Sequence, residues 1–323
     1  MSYVYGNKFD QGFNWKTYKR YVGARFARVY PLNLITMLIA LGMALYIRSI
    51  ADGLDPFFDD MLNPWAAPAS AVFLQGMHLF QAAPLNTPSW SLSTEWWMYM
   101  IFPLLVPWFF SLKPTGKVVA LLLIIAGFFG LMYIIGPLAG PIYGQYTINS
   151  VADFGFLRCA LGFLLGMWVH EIFKVKIGYN FFGKDYSFSL FFLLILACMH
   201  FEVNSLIIVG LFALLILSAT YNNGIVKNIL DTKPLQVLGD WSFSIYMVHV
   251  LIIYLFWILG IQQNPTMFAD FKVLLQQEPN YEAGLVGLFI LLPLTFLFSW
   301  LMYRFVEIPS RNYLNKVFKT KTE

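Results

Sequence analysis

Glu95 is the only carboxylate set deep in an otherwise apolar helical run, Ser89-Trp90-Ser91-Leu92-Ser93-Thr94-Glu95. Ser91 lies four residues before it and shares its helical face, with Thr94 adjacent. An ionisable group at mid-bilayer costs about 2.5–3.5 kcal/mol on insertion scales, so each one needs a reason. Glu95 has two: an ion pair with Arg158 that ties two helices, or a charge that orients a base or binds a hydroxylated substrate. The second is the stronger reading, since intramembrane acids are functional by default. His249 divides the other way. A lone imidazole in an apolar helix is more often a neutral core residue sharing a hydrogen bond, here with Ser244 or Tyr246, than a catalytic base. His78 suits an interface equally well. Arg25 and Arg28 are three apart on one helical face. Most juxtamembrane arginines anchor topology, yet two adjacent guanidinium forks also suit phosphate groups. No metal or resident cofactor is expected.

These groups need a scaffold, and composition says which. Of the 323 residues 59% are hydrophobic and 12% charged, with mean hydropathy +0.65. A soluble domain carries about 25% charged residues, so this chain cannot clothe a water-facing surface. Cys159 and Cys198 both lie in apolar runs, which excludes a disulfide scaffold and makes them packing residues. The basic residues fall between apolar spans rather than on one stripe, so no nucleic-acid partner is implied.

A helix crossing about 30 Å of hydrocarbon needs about 20 mostly apolar residues. That ruler gives about eight spans, near 29–50, 89–111, 117–136, 154–173, 186–201, 205–221, 241–260 and 284–304, the fifth and sixth being short. Residues 64–83 are also apolar, but Pro64 and Pro68 open the stretch and Pro84 closes it, which predicts a re-entrant or interfacial helix. With the amino end cytoplasmic, all of the 21 Lys and Arg except Arg48, Arg158 and Lys272 fall inside. The outer loops collect Asp52, Asp55, Asp59, Asp60, Asp153, Glu202, Asp270, Glu278 and Glu282. This is the positive-inside split, and letting 64–83 cross would invert every later loop. The expectation is an all-α, polytopic transmembrane helix bundle with both termini cytoplasmic. Residues 1–28 form a basic, amphipathic lead-in, 29–306 the membrane domain and 307–323 a basic tail. The 51–88 and 261–283 loops have the room to set acceptor specificity.

Several segments resemble blocks of the acyltransferase 3 family, the membrane-bound O-acyltransferases of bacterial surface sugars. Trp90-Ser91-Leu92-Ser93-Thr94-Glu95 with Tyr99 and Phe102-Pro103 resembles its W-S-L-S-x-E…Y…F-P block. Arg25-Phe26-Ala27-Arg28-Val29-Tyr30-Pro31 resembles its R-x-x-R segment, and Phe156-Leu157-Arg158 with Gly162-Phe163 and Gly166 its middle helix. Leu238-Gly239-Asp240-Trp241-Ser242-Phe243-Ser244 through Tyr246 and His249 resembles its late L-G-x-x-S-x-x-x-Y-x-x-H helix. Phe305-Val306-Glu307-Ile308-Pro309-Ser310-Arg311 matches the closing F-x-E-x-P-x-R. Each block is loose alone; five in order are specific.

The resemblance implies a multi-pass enzyme of the bacterial cytoplasmic (inner) membrane. It would move an acyl group, most commonly acetyl, from cytoplasmic acyl-CoA to a hydroxyl of a lipid-linked or cell-surface polysaccharide (EC 2.3.1.-). Glu95, His249 and Ser91 would be catalytic; Arg25, Arg28, Arg158 and Trp90 would bind substrate, the first two holding the phosphates of acyl-CoA. Family members have two further helices, the first with an R-x10-H motif whose His is the presumed catalytic residue. Ser2-Tyr3-Val4-Tyr5 resembles the exit of the second, so the chain is expected to begin just after it. Competing expectations are a catalytically inactive truncated member or binding subunit, and a transporter. The last is weakest because no paired halves are visible.

Overall fold

The computed structural model describes residues 1–9, 12–80, 82–138, 154–267 and 281–320. Asp153, Asp270, Lys272, Glu278 and Lys321, used in the charge argument, lie outside these, as does most of the 261–283 connection. Every regular element among the described residues is helical. The main ones are α1 (Trp15–Ile50), α2 (Ser89–Ser111), α3 (Pro114–Gly130), α4 (Gly155–Val175), α5 (Asp185–His200), α6 (Ser205–Tyr221), α7 (Lys233–Gln263), α8 (Tyr281–Met302) and α9 (Ile308–Thr320). Among the described residues five stretches are long and apolar enough to cross a membrane: Trp15–Ile50, Pro114–Ile135, Gly155–Val175, Lys233–Gln263 and Gly287–Phe318. α5 and α6 are shorter apolar helices. Proline interrupts α1 at Pro31, α2 at Pro103 and Pro107, and α8 at Pro293, and helices buried in hydrocarbon tolerate this because neighbouring groups re-satisfy the freed backbone.

Two boundaries differ from the sequence reading. The second half of the basic lead-in, from Trp15, and the first span are one continuous helix, α1, since no proline separates Trp15 from Val29, whereas Ser2–Tyr5 and Gly6–Lys8 are separate short turns of helix. The basic tail is likewise helical. A π-helical segment, Tyr303–Glu307, joins α8 to α9, and α9 lies along α1. A Cβ at Gly23 would come within 2.8 Å of the Phe318 ring, so α1 has a glycine where α9 approaches.

A third difference concerns 64–83. Only Ala67–Ala71 is α-helical, after a 3-10 turn at Pro64–Ala66, and the rest is turns and bends. Left-handed backbone at Phe73 (φ 58°) and His78 (φ 57°) stops any helix from continuing. The segment is nonetheless anchored on one side, with Ala66, Phe73, Gln75, Ala82 and nearby Leu85 almost inaccessible while Trp65, Val72 and Leu79 are exposed.

The chain divides into two compact units. One comprises Met1–Asn14, Met100–Ser150 and Phe154–Gly239. Its core joins Ile124, Phe128, Leu131 and Met132 to Leu161, Leu164 and Leu165 of α4 and to Leu206 and Val209 of α6. An apolar cavity of about 310 Å³ opens beside this core, lined by residues such as Phe128, Leu165 and Leu217. The polar features of this unit sit at helix ends: Glu171 is paired with Lys117 and lies 3.7 Å from Lys174. Asp185 accepts from the Asn222 side chain (3.0 Å) and from the Ile225 and Val226 amides (3.0 and 3.1 Å). The other unit comprises Trp15–Tyr99, Val151–Asp153 and Asp240–Glu323. Met37, Ala40, Ala44 and Ile47 line one face of α1 and pack on Phe58, Leu62, Leu85, Leu251 and Tyr254. The Tyr254 hydroxyl donates to the Leu85 carbonyl at 2.6 Å, which pins α7 to the irregular segment.

Candidate functional site

The second unit buries polar groups of the kind the first keeps at its helix ends. Asn33, Thr36, Gln75, Asn86, Ser89, Ser93, Ser244 and Glu307 are all nearly inaccessible. Buried polar groups are costly unless bonded, and most of these are. Gln75 Nε2 donates to the carbonyl and hydroxyl of Ser89 (3.0 and 3.1 Å). Ser93 Oγ donates to the Phe73 carbonyl (2.6 Å) and accepts from the Gly76 amide (3.2 Å). Trp97 Nε1 donates to the same Phe73 carbonyl at 2.8 Å. Asn86 Nδ2 donates to the Met247 carbonyl at 3.0 Å, linking the segment to α7. A Cβ at Gly76 would collide with the Trp90 carbonyl oxygen, so the segment can approach α2 this closely only with glycine there. Ser93 of the W-S-L-S-x-E run, with Ser89 just before the run and Trp97 just after it, therefore splints an irregular backbone against α2.

The next face of α2 is left for other work. Ser91 and Glu95 follow each other up this face, as their spacing predicts. Ser91 Oγ and the Tyr246 hydroxyl are 2.7 Å apart, and that hydroxyl also donates to the Pro88 carbonyl at 2.9 Å. The His249 ring lies 5.9 Å from the Tyr246 ring, and its Nδ1 is 3.3 Å from the Ile245 carbonyl of its own helix. One turn beyond Ser91, Glu95 accepts a hydrogen bond from the hydroxyl of Tyr99. The Arg25 guanidinium sits 5.7 Å above the Tyr99 ring, and both Arg25 and Arg28 act electrostatically on that residue. An aromatic group borders the arginines: Phe26 stacks on Tyr30 (4.3 Å), and Trp96 stacks on Phe73 (5.0 Å) while meeting Phe26 edge-on. The result is a line of polar groups running His249, Tyr246, Ser91, Glu95, Tyr99, Arg25.

Five of the residues singled out in the sequence thus fall within one unit: Arg25, Arg28, Ser91, Glu95 and His249. Trp90 is there too, its carbonyl set against Gly76. Arg158 sits on α4 and belongs to the first unit. The sequence reading separates Arg25 and Arg28, inside, from Glu95 near the outer end of its span. The structure instead joins them through Tyr99. The reason lies in α1, whose 36 residues extend about 54 Å, well beyond the bilayer core, so composition alone does not fix the depth of any one residue. Tyr99 and Glu307 carry no role in the sequence reading beyond their place in motifs, and Tyr246 enters it only as an expected partner of His249, whose Nδ1 instead faces the Ile245 carbonyl. Tyr99 was within reach of the same-face rule, being four residues after Glu95; Tyr246 and Glu307 meet their partners only through tertiary packing.

Chemically, the line offers two guanidiniums for an anion, a carboxylate held by a phenol, and a hydroxyl pair beside an imidazole. No group of three or more His, Cys, Asp or Glu among the described residues is placed to hold a metal ion.

Residues 2–304 match the family model described as an acyltransferase domain. A stretch of 90 residues is 38% identical to acyltransferase MdmB of Streptomyces mycarofaciens, covering 25% of this chain and 20% of that protein. The match therefore spans about a fifth of the length of that relative. No solved structure matches this chain.

Proposed function

Since this chain belongs to the acyltransferase 3 family, we propose that it is a multi-pass O-acyltransferase of the bacterial cytoplasmic membrane. The donor is acyl-CoA, with acetyl as the group moved, and the acceptor is a hydroxyl of a lipid-linked or cell-surface polysaccharide. In this reading the bundle has eight spans with both termini cytoplasmic, and the bilayer itself is a partner. The observation that carries the reading is the joining of Arg25 to Glu95 through Tyr99.

Acyl transfer needs an anionic donor held with its thioester near the acceptor oxygen. Arg25 and Arg28 hold donor phosphates by charge-assisted hydrogen bonds, for which guanidinium forks suit the geometry. The acceptor oxygen attacks the thioester carbonyl, the carbon–sulfur bond breaks, and the coenzyme thiol leaves with a proton. Glu95 orients the acceptor hydroxyl and draws on its proton, while the Tyr99 hydroxyl fixes the carboxylate. Ser91, Tyr246 and His249 extend the polar line along which the acceptor lies, and the Trp90 ring gives a sugar an apolar face to stack on.

The test is complementation of a deletion strain with the wild-type chain or with Glu95→Gln, reading O-acetyl groups on surface polysaccharide by NMR. Loss of acetylation at equal protein level is expected. Unchanged acetylation in the variant defeats the assignment of Glu95.

A further inference from the structure

Glu307 is the one acidic side chain among the fully buried described residues, and the polar line above does not use it. It ends the π-helical segment Tyr303–Glu307. Such wide turns sit at functional places more often than their rarity suggests. One carboxylate oxygen accepts from Ser244 Oγ at 2.8 Å, and Ser244 is itself completely buried on α7. The other lies 3.7 Å from Arg311 Nη1, one turn further along the chain. The Tyr303–Glu307 segment also packs against α1, the helix that bears Arg28, which brings that second guanidinium into the neighbourhood of the carboxylate. Yet the ion pair among the described residues goes to Arg311, and the Arg28 side chain is exposed.

This arrangement solves a competition. A carboxylate near a guanidinium is its natural forked partner and would occupy the donors that a phosphate needs. A buried carboxylate is also held to its countercharge, because leaving it unpaired is expensive. We propose that Ser244 and Arg311 are positioning residues that hold Glu307 off Arg28, keeping that guanidinium open to an anionic phosphate of the acyl donor. The proposal rests on the reading that Arg25 and Arg28 bind the donor. When Arg311 or Ser244 is removed, Glu307 turns to Arg28, the other cation in its neighbourhood, and the chain inhibits its own donor site.

The experiment is titration of the full chain in lipid nanodiscs with coenzyme A, read by calorimetry. Arg28→Gln is expected to weaken binding about tenfold, the worth of one charge-assisted hydrogen bond. Arg311→Gln is expected to weaken it about three- to tenfold on the same scale, and adding Glu307→Gln to that variant to restore it to within about twofold. Ser244→Ala should behave as Arg311→Gln does and takes its place if that protein does not fold. Glu307→Gln alone keeps the Ser244 contact, removes the competing charge and should bind coenzyme A more tightly, by up to about threefold. A double variant as weak as its parent overturns the proposal; and because Glu307→Gln also removes a stranded buried charge, thermal unfolding is read beside binding, so that a loss and recovery of binding that merely follow stability overturn it as well. Weaker binding by Glu307→Gln alone overturns it too. If Arg28→Gln binds as the wild type does, the donor-site reading falls and takes this inference with it. If Arg28→Gln weakens binding while Arg311→Gln and Ser244→Ala do not, only the positioning inference falls.

Discussion

The two units solve the same problem of standing in a bilayer in opposite ways. In the unit built on α3 to α6 the cavity of about 310 Å³ has an apolar lining, and the polar groups, the buried Ser187, Ser218 and Asn222 as well as the charged knots at Lys117–Glu171 and Asp185, sit towards helix ends. In the unit built on α1, α2 and α7 to α9, Asn33, Gln75, Asn86, Ser93, Ser244 and Glu307 are buried among the helices and wired to irregular backbone. Hydrocarbon makes each such group expensive, so a region that keeps many of them is spending stability on something other than folding. That concentration of buried polar groups is why the proposed site is drawn in the second unit.

Four substitutions test the contrast. Tyr99→Phe keeps the ring and removes the hydroxyl that holds Glu95, so acyl transfer should fall about 100-fold, within the range for a general acid–base group. Thermal unfolding should hardly move. Full activity, read as O-acetyl groups on surface polysaccharide, would make the Glu95–Tyr99 pair a structural strut. Leu131→Ala in the apolar unit empties a site that is 1% exposed and should cost about 2–3 kcal/mol while activity per folded molecule stays constant. A specific loss of turnover there would erase the division of labour. Ser93→Ala leaves the Gly76 amide without its acceptor and should cost about 1–2 kcal/mol in denaturant titration. Because that amide lies in the splinted segment, activity should fall together with stability.

The smallest effect is expected at Asp185. Hydrogen bonds from the Asn222 side chain, the Val226 amide and the Ile225 amide hold its carboxyl below the ordinary aspartate value. Its contribution is therefore complete above the unfolded value, near 3.9, and is lost as pH falls through the lowered folded one. Amide exchange at Ile225 and Val226 should accelerate on acidification into that range, and Asp185→Asn should remove the pH dependence. No change in the variant would mean that backbone geometry alone holds the corner.

What the sequence made legible follows from where the physics is local. All-helical structure and the polar face Ser91–Glu95 come from periodicity and composition, and both are present. The Arg25–Arg28 pair also sits on one helix as its spacing requires. The segment 64–83 departs from the expected helix because left-handed backbone at Phe73 and His78 ends the Ala67–Ala71 helix, and apolar content does not reveal it. Its burial depends on Ser89, Ser93 and Trp97, whose structural duty is visible only once their backbone partners are known. The joining of Arg25 to Tyr99 was hidden for a different reason. The depth of a residue on a helix longer than the bilayer is set by packing with neighbours, and no local pattern records it.

The contact of Phe318 with Gly23 carries a consequence for biogenesis. The Ile308–Thr320 helix emerges from the ribosome after every other helix of its unit, yet it lies along the opening turns of the helix that bears Arg25 and Arg28. The carboxylate at Glu307 and its countercharge at Arg311 arrive with it. Until those turns are made, the stretch that bears Arg25 and Arg28 lacks both the helix that packs along it and the buried acid at Glu307, so this part of the unit closes only when Ile308–Thr320 docks.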